Sequence, residues 1–503
     1  MKINIVFLYI FFCLCLNVRW SFAQNLYFKR HEISEEKTQV QNVVAVEERG
    51  AAIIAAENEN LFQTNRKWEF TLVDTAFVHH LQATYTLPTK LKYNQSIWAD
   101  SVLCLVFDNA AQDVTLLVWN LNTGTLEAIN INLPMRMEIK EVAICNADLY
   151  LAGEAKARDI VMFFDMDTRL CKVLPSFYEP RLKVEKLIPS PETGQMYVLT
   201  SRESRDKNAW RVRVYNQGGF LHSDTQINQE GEYSPVNFTA MGHDSTNIRL
   251  AGYYYHRNMD FPQGFWFQSV NLTDNQRNIY KRWPFVENKN FFAYKGEAGQ
   301  KRMAEKLERY KQDGDEYRLA ERWILHKPCY GDSTFALLGE CYYKTHSNQS
   351  IGRPTMGSSP AVNDYRMLDE YRYTRGSVTV FDKKANYLWD WTIEGNEHQS
   401  TKLEQHTFAA LGQHGLSVFF LNDKKLCWQL VQNGKQVAAS EKKGQKLALM
   451  YPDDELLHTG NVNLSNWYSD SFLMMGSQRI RNTKTAGVEA RRDVFFLYKI
   501  SVR

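Results

Sequence analysis

Leu337-Leu338-Gly339-Glu340 ends an apolar run in a glycine, and the same cadence returns at Leu151-Ala152-Gly153-Glu154, Leu250-Ala251-Gly252-Tyr253 and Met474-Met475-Gly476-Ser477. A glycine inside a strand forfeits side-chain packing, so its return at one place in several units marks a point where backbones crowd, here near the axis of a ring. Each run reads as the second strand of a unit. Downstream of these or equivalent runs come turn signatures flanked by β-branched and aromatic residues: Trp119-Asn120-Leu121-Asn122-Thr123-Gly124, Phe164-Asp165-Met166-Asp167-Thr168, Tyr215-Asn216-Gln217-Gly218-Gly219 and Phe381-Asp382-Lys383-Lys384. They read as hairpins from third to fourth strand.

Working outward from these marks gives a loose repeat of about 45 residues with four strand-like runs per unit, the period of a β-propeller blade. Units begin near 42, 90, 136, 182, 232, 317, 403 and 446, which is eight, with seven as the alternative count. The last unit shows clear strands at Ser471–Ile480 and Asp493–Val502 and no obvious fourth, while Leu26–Ile33 is a strand-like run with no unit of its own. Pairing the two ends would close the ring and remove exposed sheet edges. The fold expected is therefore all-β, a propeller of four-stranded blades. A pair of β-sandwiches or a solenoid fits the period less well.

A chain of 503 residues with 44% apolar and 13% aromatic residues can bury a large core. Residues 1–23 stand apart: Lys2 gives a positive start, Ile5 to Leu16 is apolar throughout, and Ser21-Phe22-Ala23 supplies small residues at the positions a signal peptidase reads. This predicts a secretory signal cut before Gln24, a single propeller domain over 24–503, and a periplasmic, secreted or envelope-associated location. The apolar run is short of the ~20 residues that span a bilayer, so no transmembrane segment is expected in the mature chain. Loss of Lys2 and Arg19 lowers the formal charge from +3 to +1, which offers nothing to nucleic acid or an acidic membrane. Six cysteines remain after the signal, most of them in apolar strand runs where a thiol acts as a small hydrophobe.

In a four-stranded blade, the loops after the second strand and the connections between blades open on one face of the disc. On that face the sequence predicts a long loop over 345–374 and an inter-blade insertion over 289–316. Within the insertion, Met303, Leu307 and Tyr310 share one side of a helix predicted over Gly299–Asp313, with Gly314 as its stop. Arg and Tyr are favoured interface anchors, so Tyr365, Arg366, Tyr371 and Arg372 in the loop, with His256 and Arg257 after Tyr253-Tyr254-Tyr255, are the candidate contacts. His79-His80 resembles a metal pair, but neighbours on a strand point to opposite faces, and no metal site is assigned.

The nucleophile elbow, the zinc helix and the phosphate-binding glycine loop are all missing. Asp165 with Asp167, and Asp313 with Asp315, open like a calcium loop and lack its later ligands. The stretch Val380-Phe381-Asp382-Lys383-Lys384-Ala385-Asn386-Tyr387-Leu388-Trp389 resembles the degenerate quinoprotein-type repeat, in which an Asp, a tight turn and a closing Trp connect neighbouring blades. Asn122 to Glu127 looks like the same turn without the Trp. Phe335–Tyr343, Arg375–Trp389 and Phe495–Ile500 make the mature chain similar to secreted propellers of Bacteroidota-type envelopes. Quinone-dependent members of the repeat family need an adjacent cysteine pair, which the mature chain lacks, so the resemblance implies a scaffold without cofactor. The expected function is capture of a protein or glycan partner through the insertion-bearing face, by a monomer or as part of an envelope complex. A carbohydrate-active hydrolase or lyase working in the central channel, and a purely structural envelope component, are the alternatives.

Overall fold

The computed structural model describes residues 26–59, 62–109, 112–146, 148–177, 179–190, 192–202, 209–227, 232–243, 247–256, 261–271, 277–348, 366–394, 398–412, 415–422, 424–441 and 443–502. Eight antiparallel sheets form an eight-bladed propeller. Blades 1 to 8 span 38–88, 92–132, 138–173, 182–227, 233–284, 322–393, 407–439 and 455–502. The outermost strand of blade 8 is Leu26–Ser34, in register with the C-terminal strand from Leu26 opposite Val502 to Ser34 opposite Val494. The unpaired run and the incomplete last unit are thus one feature.

The recurring glycines have a common cause in three blades. The innermost strand carries a bulge between Ile139 and Glu141, between Val236 and Thr239, and between Thr459 and Val462. An extra residue pushes a carbonyl toward the second strand. A Cβ on Gly153, Gly252 or Gly476 would run into the carbonyl of Glu138, Val236 or Asn461 respectively. Gly339 differs: a Cβ there would strike the Tyr253 hydroxyl of blade 5.

The third-to-fourth turns close by side-chain acceptors. Asn120 Oδ1 takes the backbone N–H of Asn122 and Thr123, Asp165 Oδ1 those of Asp167 and Thr168, and Asp382 Oδ1 those of Lys384 and Asn386. Asp165 and Asp167 therefore belong to a turn. The Asp382 turn joins two strands of the same blade instead of neighbouring blades, although Trp389 after it packs against the core shared by blades 6 and 7. Apolar clusters of this kind fill successive blade interfaces. All six cysteines of the described chain are free.

The predicted 345–374 loop needs correction. The second and third strands of blade 6 run over Thr334–Asn348 and Arg366–Asp382, pairing as far as Asn348 opposite Arg366. Polar, charged composition hid the extension of these two paired strands past Lys344 and before Thr374. The insertion helix covers Gly296–Gln312, starting one turn earlier than the apolar stripe implies. Met303 is buried and Leu307 and Tyr310 are half-buried, as the stripe requires. Asp315 N–H bonds the Tyr310 carbonyl across Gly314, whose φ of 72° ends the helix.

Candidate functional site

A cavity of ≈ 1060 Å³ occupies the axial side of blades 7, 8, 1 and 2. Its walls are the innermost strands, which give Asn42 to Ala45, Ser96, Phe408 and Gly460 to Ser465, together with the blade 6 to blade 7 connection from His398 to His406. That connection lies on the insertion-bearing face. Asn42 Nδ2 donates to the Tyr93 hydroxyl at 2.7 Å, and Tyr93 in turn donates to Ser96 Oγ at 2.9 Å. Polar groups on two blades are thereby held in place at the cavity wall.

The connection is fastened at two points. Glu340, fully buried, accepts His326 Nε2 at 2.7 Å, the His406 backbone N–H at 2.9 Å and Thr407 Oγ1 at 2.7 Å. Burial alone would raise its pKa, but these donors hold the carboxyl below the ordinary carboxylate range. His326 reaches it from the end of the first strand of blade 6: its N–H still bonds the Leu338 carbonyl, one step beyond Leu325 opposite Gly339, so it is the diagonal neighbour of Glu340. The Tyr373 hydroxyl accepts the Glu404 N–H at 2.9 Å and donates to the Glu404 carbonyl at 2.8 Å. His398 lies opposite Tyr373 in a short added strand, His398–Ser400.

Both histidines are kept neutral. Burial, reinforced by the neighbouring His398, pushes the His406 imidazole down to about 4, and burial lowers His398 as well. His406 Nε2 is buried with no hydrogen-bond partner. Buried polar atoms are ordinarily paired, so this nitrogen has hydrogen-bonding capacity the chain does not use.

Of the residues singled out by composition, the described ones lie at two places, the blade 6 hairpin and the groove beside the insertion helix. Tyr371 is a strand residue whose ring meets Tyr342 edge-on at 5.8 Å. Arg372 Nε donates to Glu370 at 2.8 Å, a half-buried bond within the third strand of blade 6. Arg366 begins the third strand of blade 6, while Tyr365 and Arg257 lie outside the described residues. His256 lines a separate groove beside the helix. His398 and His406 escaped notice because the residues that line the cavity with them, at 42–45, 96 and 460–465, are spread over the whole chain. Among the described residues no cluster of His, Cys, Asp or Glu has metal-binding geometry.

No family model and no curated protein matches the chain. Among solved structures, it is similar to the polysaccharide lyase Uly1, at 11% identity over 81% of this chain and 89% of that one, with a TM-score of 0.38. It is also similar to the β-propeller domain of the Trilobed protease from Pyrococcus furiosus, at 8% identity over 80% and 98% of the two chains, with a TM-score of 0.35. A prolyl endopeptidase aligns at 9% identity over 82% of this chain and half of that one, 50%, with a TM-score of 0.38. Likeness at this level carries no argument about activity.

Proposed function

We propose that this protein is an exported, non-enzymatic propeller that binds a glycan in the axial cavity, entered from the insertion-bearing face. The lining carries this reading. Asn42, Ser96, Gln399, Asn461, Asn463 and Ser465 present amides and hydroxyls that both donate and accept, as a polyhydroxylated ligand requires. A concave polar chamber suits a saccharide better than the flat, aromatic-rich patch of a protein interface. Glu404 is the one carboxylate among the described lining residues, whereas glycoside hydrolysis ordinarily calls for two. Export rests on the leader-like residues 1–23.

Affinity electrophoresis in gels cast with neutral or acidic polysaccharides tests the reading. At least one polysaccharide should retard the wild-type protein, and an Asn461→Leu/Asn463→Leu variant should run freely. Equal mobility of the two in every gel would refute it. One observation favours a lyase instead: His406 is a neutral base at physiological pH with an unengaged Nε2. That reading requires an unsaturated, ultraviolet-absorbing product from a polyuronate, lost in His406→Gln.

A further inference from the structure

We infer that the groove between the insertion helix and blade 5 is a second binding site, built for the basic side chains of a partner polypeptide. The groove encloses ≈ 720 Å³, more than one side chain fills, so it would take several residues of an extended segment. Its apolar surface comes from Tyr254 of blade 5 and from Val286, Leu307, Tyr310 and Tyr317 of the insertion. Alkyl stems of lysine or arginine can lie along such a surface while the charge reaches the rim.

The rim is acidic. Glu287, Glu308, Asp315 and Glu316 line the groove against two cations, Lys311 and Arg318. No ion pair engages these four carboxylates among the described residues: Glu316 accepts the Tyr233 hydroxyl at 2.6 Å and Glu308 the Gln312 amide at 3.2 Å, both from neutral donors. The carbonyl end of the helix, at Tyr310 and Lys311, adds negative potential at the same rim.

The floor supplies an independent sign. His256 Nε2 stands 3.2 Å from Glu232, an obligate acceptor, so Nε2 is the nitrogen that donates there. The other ring nitrogen, Nδ1, is buried without a hydrogen-bond partner among the described residues. The rings here also hold cations already: the Arg282 guanidinium sits 3.5 Å from the Tyr233 centroid, and Lys306 Nζ 4.8 Å from that of Tyr317. Anionic ligands would meet the acid excess, and a neutral sugar would leave it uncompensated.

Fluorescence anisotropy with a short fluorescein-labelled peptide of alternating glycine and arginine, in low salt, tests this. The wild-type protein should bind saturably, and Glu287→Gln/Asp315→Asn should weaken binding about tenfold. Both substituted side chains are exposed, and circular dichroism melting checks that the fold is kept. Asn461→Leu/Asn463→Leu should bind the peptide like wild type, which separates this site from the axial one. Equal binding by the acid-neutralised variant would overturn the proposal. So would equally tight binding of a glutamate peptide, or full displacement by equimolar spermidine, which would point to free amines.

Discussion

The imidazoles of His398 and His406 lie with centroids 3.8 Å apart and planes tilted by 40°. The Tyr373 ring meets His406 edge-on at 4.5 Å, so one connection between two blades packs three rings beside the axial cavity. Two positive rings at that separation would repel, and burial denies an imidazolium the hydration it has in water. The arrangement is therefore stable only while the pair is neutral.

An acid-dependent loss of stability follows. His406 takes a proton near 6.5 when unfolded and near 4 when folded, so between these values the unfolded chain binds more protons and stability falls as the pH drops. Asp148 opposes this: burial raises its carboxyl to about 6, so the folded form gains stability as the pH falls through the window above the ordinary 3.8. The two are separated by variants. Melting temperature should fall less between pH 7 and pH 5 in His406→Gln than in wild type, and more in Asp148→Asn.

Glu340 should be among the most sensitive positions. Removing its carboxylate takes the acceptor from the buried His326 Nε2 and from the backbone N–H of His406, and breaks the bond from Thr407 Oγ1. Glu340→Ala should cost about 3–5 kcal/mol by denaturant titration, with Glu340→Gln nearer the lower limit because it still accepts. The axial ligand should be lost in both, since the His398 to His406 connection loses its anchor.

Much of the ring was legible because the blade is a local object. Gly153, Gly252 and Gly476 record bulges in the adjacent strand, and Asp165 and Asp382 record turns that close within a few residues. The end-to-end closure was legible as a surplus strand. The cavity was not, because its walls meet only when residues 42 and 463 are brought together by the ring. Tyr371 and Arg372 drew attention by composition, yet a long hairpin carries them on its strands. Glu340 stood in the opening motif, but nothing in the sequence pairs it with His326, which depends on the register of two strands of blade 6.

Arg375 should fix the insertion to the disc. Its side chain is 7% exposed, pairs with Glu321, and lies 3.9 Å from the Tyr294 centroid and 5.1 Å from that of Trp323. Arg375→Ala should cost about 3 kcal/mol, the low end for a broken buried pair because Glu321 keeps some solvent. Limited proteolysis should then cut within 285–321 before the blades. Arg375→Lys should restore only part of this resistance, since an ammonium cannot stack as a planar guanidinium does.

The closing strand is the last test. Leu26 and Phe28 pack toward the blade 7 and 8 core, and Ile33 toward the blade 8 and 1 core, so Leu26–Ser34 contributes side chains to two interfaces as well as backbone pairing. Arg30 adds polar ties within the last blade, donating to Glu32 at 2.7 Å, Gln478 at 2.8 Å and Tyr498 at 3.0 Å. Arg30→Ala keeps the strand and should cost about 1–3 kcal/mol. Deleting 26–34 uncovers the edge of the C-terminal strand, and an open edge recruits another chain. Light scattering after gel filtration should then show oligomers. Moving the same segment behind residue 502 through a short turn should restore the mass of the undeleted protein, because the pairing is antiparallel and a hairpin can supply it. A deletion variant that stays monomeric with an unchanged melting temperature would show that the ring does not depend on its closure.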